Sequence, residues 1–439
     1  MGKISKLSKV VDWRLCVGCG ACAYVCPSQA VRLHDFLEEG IRPIVDEQHC
    51  SSCQDCLKVC PGVESDFRPD VSAQRALDQP TMPLRTFEKE WGPVLEIWEG
   101  FATDPEIRFK GSSGGLLTAL AAYCVEKGAM HGVLHIGQDP QDPLRNRTRL
   151  SRSRDEILAA CGSRYAPASV CDRLAEVESA PSPCAVIGKP SEIVAVRKAE
   201  RLRPELAKKV GVTFSFFCAE SPSTAGTLAL LQQMGFKPDS IENLRYRGHG
   251  WPGHFAPTQK GESEPTRKLT YFESWAFLQR FRPWAAQMWP DGTGELADIS
   301  CGDPWYEKVD GENPGFSLVV VRTPRGRALL QAAIAAGYVQ LKRADEWKLA
   351  RSQDNLLRKK GAIWGRLWVL KLLGVPTTSY PGFHLWHCWK GLPWREKLRS
   401  TVGTLRRVLS RKLYRPLVLG QKTAASSEAA DIVPVGRIE

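Results

Sequence analysis

Eight cysteines fall in two runs of identical spacing, Cys16-x-x-Cys19-x-x-Cys22-x-x-x-Cys26-Pro27 and Cys50-x-x-Cys53-x-x-Cys56-x-x-x-Cys60-Pro61. Nothing else in the 439 residues constrains the fold as tightly. A cube of four irons and four sulfides needs four thiolates converging on one centre. Two-residue spacers supply three of them from a tight loop, and the fourth comes from elsewhere. Zinc sites more often pair one C-x-x-C with a second ligand pair a dozen or more residues away, so two matching runs, each closed by proline, favour iron–sulfur chemistry. The other seven of the 15 cysteines stand singly. Of these, Cys124, Cys161, Cys171, Cys184, Cys218 and Cys388 are expected to be buried small hydrophobes. The N-terminus, MGKISKLSKVVDWRLC, lacks the apolar core of an export signal. A disulfide framework is therefore a poor reading, and a reducing cytoplasm is expected.

Residues 10–62 resemble a bacterial-type two-cluster ferredoxin domain. In such domains the fourth cysteine of each run ligates the other cluster. The resemblance implies that Cys16, Cys19, Cys22 and Cys60 hold one 4Fe-4S cluster, and that Cys50, Cys53, Cys56 and Cys26 hold the second. Such a module moves single electrons and makes or breaks no bonds itself.

The full chain is 43% hydrophobic and 25% charged, ordinary globular composition, with no apolar run near the roughly 18 residues of a membrane span. Residues 63–95 contain four prolines and no sustained periodicity, and read as a connector. From 96 onward, strand-like runs (GVLHIG, CAVIG, GVTFSFFC, FSLVVVRT) alternate with helical stretches (LLTALAAYCVEKG, TAGTLALLQQMG, RGRALLQAAIAAG). That alternation predicts an α/β body with a mixed sheet, divided near 96–175 and 176–345. The expected fold class is α+β/α/β: the ferredoxin-like domain at 1–62, then this body, then a basic helical extension at 346–420 and a disordered tail at 421–439. The net charge of +12 belongs to the extension, since residues 342–422 hold 19 Lys/Arg against 4 Asp/Glu.

Gly111-Ser112-Ser113-Gly114-Gly115 opens a helix, where backbone amides can cradle a phosphate. A plain glycine-rich turn is an equal reading of that loop alone. Further along come Gly162-Ser163-Arg164-Tyr165, Gly188-Lys189-Pro190, Arg245-Tyr246-Arg247-Gly248, Gly250-Trp251-Pro252-Gly253 and Pro290-Asp291-Gly292-Thr293-Gly294-Glu295-Leu296-Ala297-Asp298. In this order the set resembles the coenzyme F420 hydrogenase/dehydrogenase beta-subunit family over roughly residues 100–345. The resemblance implies a flavin-binding body whose FAD exchanges single electrons with the clusters and hydride with a substrate, either coenzyme F420 or an organic molecule. It implies cofactor contacts from Gly111, Ser112, Ser113, Gly114, Gly115, Thr118, Ser163, Arg164 and Tyr165. Lys189, Arg247, Asp291 and Glu295 are the weak catalytic candidates, with Asp298 and Asp303 in the same acidic stretch. Gly248-His-Gly250-Trp-Pro-Gly253 matches a dinucleotide fingerprint, but no helical periodicity follows, so it reads as a ligand-facing loop instead. The eight histidines show no metal-ligand spacing.

Many members of that family carry further cysteines in the body. Here Ser191, Ala286 and Trp289 stand at those places and Cys301 is left alone, so loss of a third cluster is expected, with the indole filling vacated volume. Two functions remain open: an oxidoreductase acting on a small molecule, or a non-catalytic subunit relaying electrons between a ferredoxin-type donor and a partner oxidoreductase. Nucleic-acid binding is disfavoured, since the cysteine runs have no use in it. In 394–415, Leu398, Val402, Leu405, Leu409 and Leu413 recur at helical spacing among eight Lys/Arg and one Glu. Such a helix suits peripheral contact with an anionic membrane, or else packs its apolar stripe on the body.

Overall fold

Central strands of this chain, such as CAVIG and VGVTFSF, are apolar on both faces, which a strand tolerates only when helices cover both sides of its sheet. The computed structural model describes residues 4–66, 84–309, 314–417, 419 and 432–434. Its strands are β1 (Val31–Phe36), β2 (Gly40–Val45), β3 (Glu96–Ala102), β4 (Val133–Gln138), β5 (Asn146–Ser151), β6 (Cys184–Gly188) and β7 (Val210–Phe216). They continue as β8 (Ile241–Arg245), β9 (His254–Gln259), β10 (Leu269–Thr270), β11 (Ile299–Gly302), β12 (Ser317–Val321), β13 (Val339–Arg343) and β14 (Ile432–Pro434). Eight of them form a mixed sheet in the order β13-β3-β12-β11-β7-β6-β4-β5. Its centre, β4, β6, β7 and β11, is parallel, and the flanking pairs are antiparallel.

Alternate residues of one strand feed two separate cores, as a period of two requires. Ala185 joins Val212, Phe214 and the helices Leu116–Glu126 and Pro324–Ala335 on one face. Cys184 and Val186 join the helix Pro190–Leu202 on the other. This second core also receives Cys19, Ala21, Val25 and Val59, so the cysteine-rich N-terminal residues share an apolar core with the body. A smaller antiparallel sheet, β8-β9-β10, packs on the helices Thr224–Gln233 and Tyr271–Leu278.

Three differences from the sequence reading have clear causes. The connector is not irregular throughout: Leu84–Trp91 is a helix that buries Phe87 and Trp91, one turn apart, against Ile97, Leu318 and Val320. Residues 67–83 lie outside the described residues. Of the tail called disordered at 421–439, only Ile432–Pro434 are described, and they extend the β1–β2 hairpin as a third antiparallel strand beside His34–Phe36.

The third difference concerns the basic extension. Helix Asp354–Leu372 packs against Trp394–Ser410 through Gly365 and Ser400, while Trp364, Trp386 and Trp389 cluster within 4.5–5.2 Å of one another. Trp394–Ser410 does not turn its leucine stripe inward. Ser400, Thr404 and Val408 are buried, whereas Trp394, Leu398, Val402, Leu405 and Leu409 are 40–66% exposed. The small hydroxyl face fits the close approach of the neighbouring helix, which bulky leucines would prevent.

Candidate functional site

The two cysteine runs interleave in space. Cys22 feels the charges of Cys16, Cys19, Cys60 and Cys56, whereas Cys56 feels Cys53, Cys26 and Cys50. Each run thus lends its fourth cysteine to the other group of three. Cys16, Cys19, Cys22 and Cys60 are 7–8% exposed; Cys50 and Cys53 are open to solvent. Burial, together with repulsion from neighbouring thiolates, raises the thiols of Cys22 and Cys60, and raises Cys56 to about 11. Burial likewise raises Cys16, although Arg42 works against it. Four buried thiols with so little cationic compensation suit a centre that brings its own positive charge, as a metal cluster does. Among the described residues no three His, Cys, Asp or Glu side chains close in on a single-ion site.

Glycine permits the inner loop. Gly18 and Gly20 take φ of +76° and +86°, and a Cβ on either would stand 2.8 Å from the backbone of Ile41 or Asp172. Cys171 lies just behind. Its amide donates to the Cys19 carbonyl (3.0 Å), and its thiol hydrogen bond to the Cys19 sulfur holds Cys19 below the usual thiol range. Cys171 is buried, as the sequence reading had it, but it also touches the cluster site, which its isolated position in the sequence did not signal.

Beyond this quartet lies a small gap of about 30 Å³ lined by Cys16, Gly18, Arg42, Ala168, Lys189 and Glu220. Ala168, Lys189, Glu220 and Ser221 also line a second cavity of about 840 Å³ in the body. The larger cavity opens at the carboxyl ends of the parallel strands, among Gly188 at the end of β6, Phe217–Ser221 after β7, and Gly302–Asp303 at the end of β11. Open α/β sheets receive ligands at that edge. Gly111–Ser113 and the start of helix Leu116–Glu126, whose cap Gly115 (φ +71°) offers no side-chain hydrogen bond, bring free helical N-terminal character to the cavity wall.

The candidate residues separate into lining and supporting groups. Gly111, Ser112, Ser113, Gly115, Thr118, Ser163, Arg164, Tyr165, Lys189 and Arg247 line the cavity. Gly114 does not: its amide bonds Ser317 Oγ (3.0 Å), and a Cβ would meet Gly100 O and Phe316 Cα at 2.7 Å. Arg164 is committed internally, donating to Asn146, Gln138 and the carbonyls of Leu244, Pro143 and Arg145. Arg247 forks onto Asp303 (2.6 and 2.9 Å) and lies 4.5 Å over the Tyr271 ring; the nearby carboxylate more than offsets burial and keeps the guanidinium charged. Lys189 pairs with Glu192 at 3.3 Å in the wall.

Asp291 and Glu295 stand away from the cavity lining. Asp291 caps the amides of Thr293, Gly294 and Glu295, each at 2.8 Å. Glu295 is raised by burial to about 7 and pairs with Lys360 at 2.7 Å. Asp298 binds Arg197 and Arg325. All three are structural. Residues 248–253 are likewise absent from the cavity lining; Gly248 packs on the backbone of Lys110 and Gly111 and so buttresses the glycine loop. Trp289 is fully buried, its ring 6.0 Å from Tyr380 of the extension, and Cys301 lies in the core of the sheet, where burial raises its thiol. Sequence reasoning missed Tyr271, Trp275, Trp305, Arg282, Lys359 and Arg366 on the cavity wall. Only Lys359 and Arg366, seven residues apart on one helical face, carried a signal.

Comparison with known proteins places these features. Residues 15–62 match the family described as 4Fe-4S dicluster domain. Residues 97–175 and 183–346 match coenzyme F420 hydrogenase/dehydrogenase, beta subunit N-term and C terminus. The chain is 24% identical over 299 residues to coenzyme F420 hydrogenase subunit beta of Methanothermobacter thermautotrophicus, covering 65% of this chain and 98% of that one. It is 27% identical over 270 residues to the same subunit of Methanosarcina barkeri, covering 59% and 84%. A coenzyme F420-dependent sulfite reductase of Methanocaldococcus jannaschii is 23% identical over 374 residues, covering 81% of this chain and 52% of that one.

Proposed function

The chain belongs to the coenzyme F420 hydrogenase/dehydrogenase beta-subunit family, and from that premise we propose that it is an iron–sulfur flavoprotein oxidoreductase. In this reading Cys50, Cys53, Cys56 and Cys26 hold an outer 4Fe-4S cluster, and Cys16, Cys19, Cys22 and Cys60 hold an inner one. The large cavity holds FAD. One observation carries the reading: Ala168, Lys189, Glu220 and Ser221 line both the gap behind the inner quartet and the large cavity, so a wall one residue thick separates them.

The residues fit a flavin dinucleotide. Gly111–Ser113 and the uncapped start of helix Leu116–Glu126 would face its phosphates, where amides and the helix dipole favour negative charge. FAD would supply the conversion between one-electron and two-electron chemistry that the clusters cannot perform. The chain's own residues do the rest. Arg247, fixed by Asp303 and Ser112 O, holds a permanent positive charge in the lining. Tyr165, Tyr271, Trp275 and Trp305 form an aromatic wall that keeps water from the interior, with Tyr271 and Trp305 stacked at 5.2 Å. Lys189, held charged by Glu192 and Glu220, ties together the wall facing the inner quartet.

A relay subunit is the second reading. It is favoured by the exposure of Cys50 and Cys53 and by relatives that are named as subunits of hydrogenases and formate dehydrogenases. Anaerobic purification followed by flavin assay and an acceptor screen that includes oxidised coenzyme F420 decides between them. An oxidoreductase retains about one FAD and reduces a soluble acceptor when supplied with dithionite. A chain that bleaches and reoxidises without turning over any acceptor is a relay, and one that retains no flavin overturns the flavoprotein reading.

A further inference from the structure

The large cavity does not end at the glycine loop. Its far lobe is walled by Arg282 and by two helices of the basic extension, Asp354–Leu372 and Trp394–Ser410. Lys359 and Arg366 project from the first helix, and Arg399 and Arg407 from the second. Both helices lie beyond residue 346, where the region matched to the family ends.

These five cations, Arg399 exposed and the other four half-buried, lack what clustered charges normally have. Among the described residues none forms an ion pair, whereas neighbouring Arg358 is neutralised by Asp354 (2.6 Å) and Glu396 (3.0 Å). Their hydrogen bonds go to neutral acceptors. Arg282 donates to Ala219 O (3.0 Å) and Gln279 O (3.1 Å), Lys359 to Ala219 O (3.2 Å), Arg366 to Gln287 O, and Arg407 to Thr404 Oγ1 (3.0 Å). Among the described residues, the Nε groups of Arg366 and Arg407 are buried without a hydrogen-bond partner. Glu220 faces Lys189 as well as Lys359.

Burial lowers Arg282, and burial with repulsion from neighbouring cations lowers Lys359, Arg366 and Arg407. Lys359 is brought to about 7 by burial and Arg282, and Arg366 to about 10 by burial with Arg407, Arg282 and Arg399. Gathering like charges in a cavity costs folding stability, and buried N–H groups without acceptors add to that cost. An anionic ligand removes both costs together, and Arg forks bind phosphate or carboxylate in pairs. Five cations also exceed what one monoanion neutralises.

We propose that this lobe, walled by Arg282, Lys359, Arg366, Arg399 and Arg407, binds the charged groups of a substrate carrying two or more phosphates or carboxylates, whose reacting end extends toward Gly111–Ser113. The position of that reacting end rests on the flavoprotein reading; the anion site does not. The substrate class is therefore a polyanion, and the extension selects it.

The test uses the full chain saturated with FAD, titrated calorimetrically with inorganic pyrophosphate and, separately, with citrate at fixed ionic strength. Saturable binding of one probe at least tenfold tighter than the other identifies phosphate or carboxylate as the recognised group. R366M and R399M should each weaken that binding about tenfold or more while leaving cluster content unchanged; Arg399 is exposed at the edge of the lobe, so its variant does not disturb the core. Absence of saturable binding for both probes, or equal binding by both variants, overturns the proposal. Release of FAD in proportion to added probe would assign the lobe to the cofactor and equally overturn it. If the protein holds no flavin, the same titration on the iron–sulfur protein still reads the anion site, so the two readings fail separately.

Discussion

The two cysteine quartets are near-copies in sequence and opposites in surroundings. Both runs use the same backbone turns: Gly18 and Gly20 at positive φ correspond to Ser52 (φ +57°) and Gln54 (φ +65°). In the inner loop only glycine fits, because Ile41 and Asp172 press on it. In the outer loop the left-handed turns are kept with ordinary side chains, and Cys50 and Cys53 face solvent. The same ligand geometry therefore serves two situations. The outer quartet is open to a donor or partner, and the inner one is sealed against the body beside the cavity.

The largest effect that sharpens this contrast comes from removing one ligand of each quartet. Cys60→Ser and Cys26→Ser should each leave about four of about eight irons. Cys60→Ser should abolish electron delivery to a cavity acceptor, whereas Cys26→Ser should abolish only delivery from a protein donor and preserve reduction by dithionite. Iron analysis with single-turnover reduction reads this, and identical behaviour of the two variants would break the inner/outer distinction.

A smaller effect is expected from exchanging turn residues. Gly18→Ser should destabilise by roughly 2–4 kcal/mol, since the new Cβ meets Ile41 O and no neighbour can yield easily. Ser52→Gly removes a left-handed non-glycine and should change stability by no more than about 1 kcal/mol in either direction. Denaturant unfolding of the anaerobic protein checks both, and equal costs would mean that the two loops are packed alike.

The smallest effect is electrostatic. Arg42 is buried at 4% exposure and its charge favours the thiolate of Cys16. Arg42→Met should lower the inner cluster's potential by on the order of 100 mV and leave the outer one where it was. Redox titration followed by electron paramagnetic resonance distinguishes the two, and a shift shared by both clusters would count against separate environments.

Much of this was legible before any coordinates. The cysteine spacing, the alternation of strands and helices, and the glycine loop ahead of an apolar helix are local patterns, and local patterns follow from the 2.0 and 3.6 residue periods. The roles of charged residues were not legible in the same way. Asp291, Glu295 and Arg164 look like site residues in a motif, yet each is spent on internal caps or pairs. Whether a buried charge is spent or free depends on partners far along the chain, as with Arg247 and Asp303 or Lys360 and Glu295.

What the sequence by itself determined is which side chains can converge: four thiolates twice over, a phosphate-sized glycine turn, and a cationic extension. Spacing of a few residues sets these because turns and helices bring near neighbours to one face. Only the tertiary structure decided which quartet is sealed, that Lys189 and Glu220 stand in the wall between it and the cavity, and that Trp394–Ser410 buries its hydroxyls and exposes its leucines. The reason is physical. Burial and charge compensation are properties of whatever packs opposite, and here the opposing groups come from Ile41, Asp172, Gly365 and Ser400, residues separated by scores or hundreds of positions in the chain.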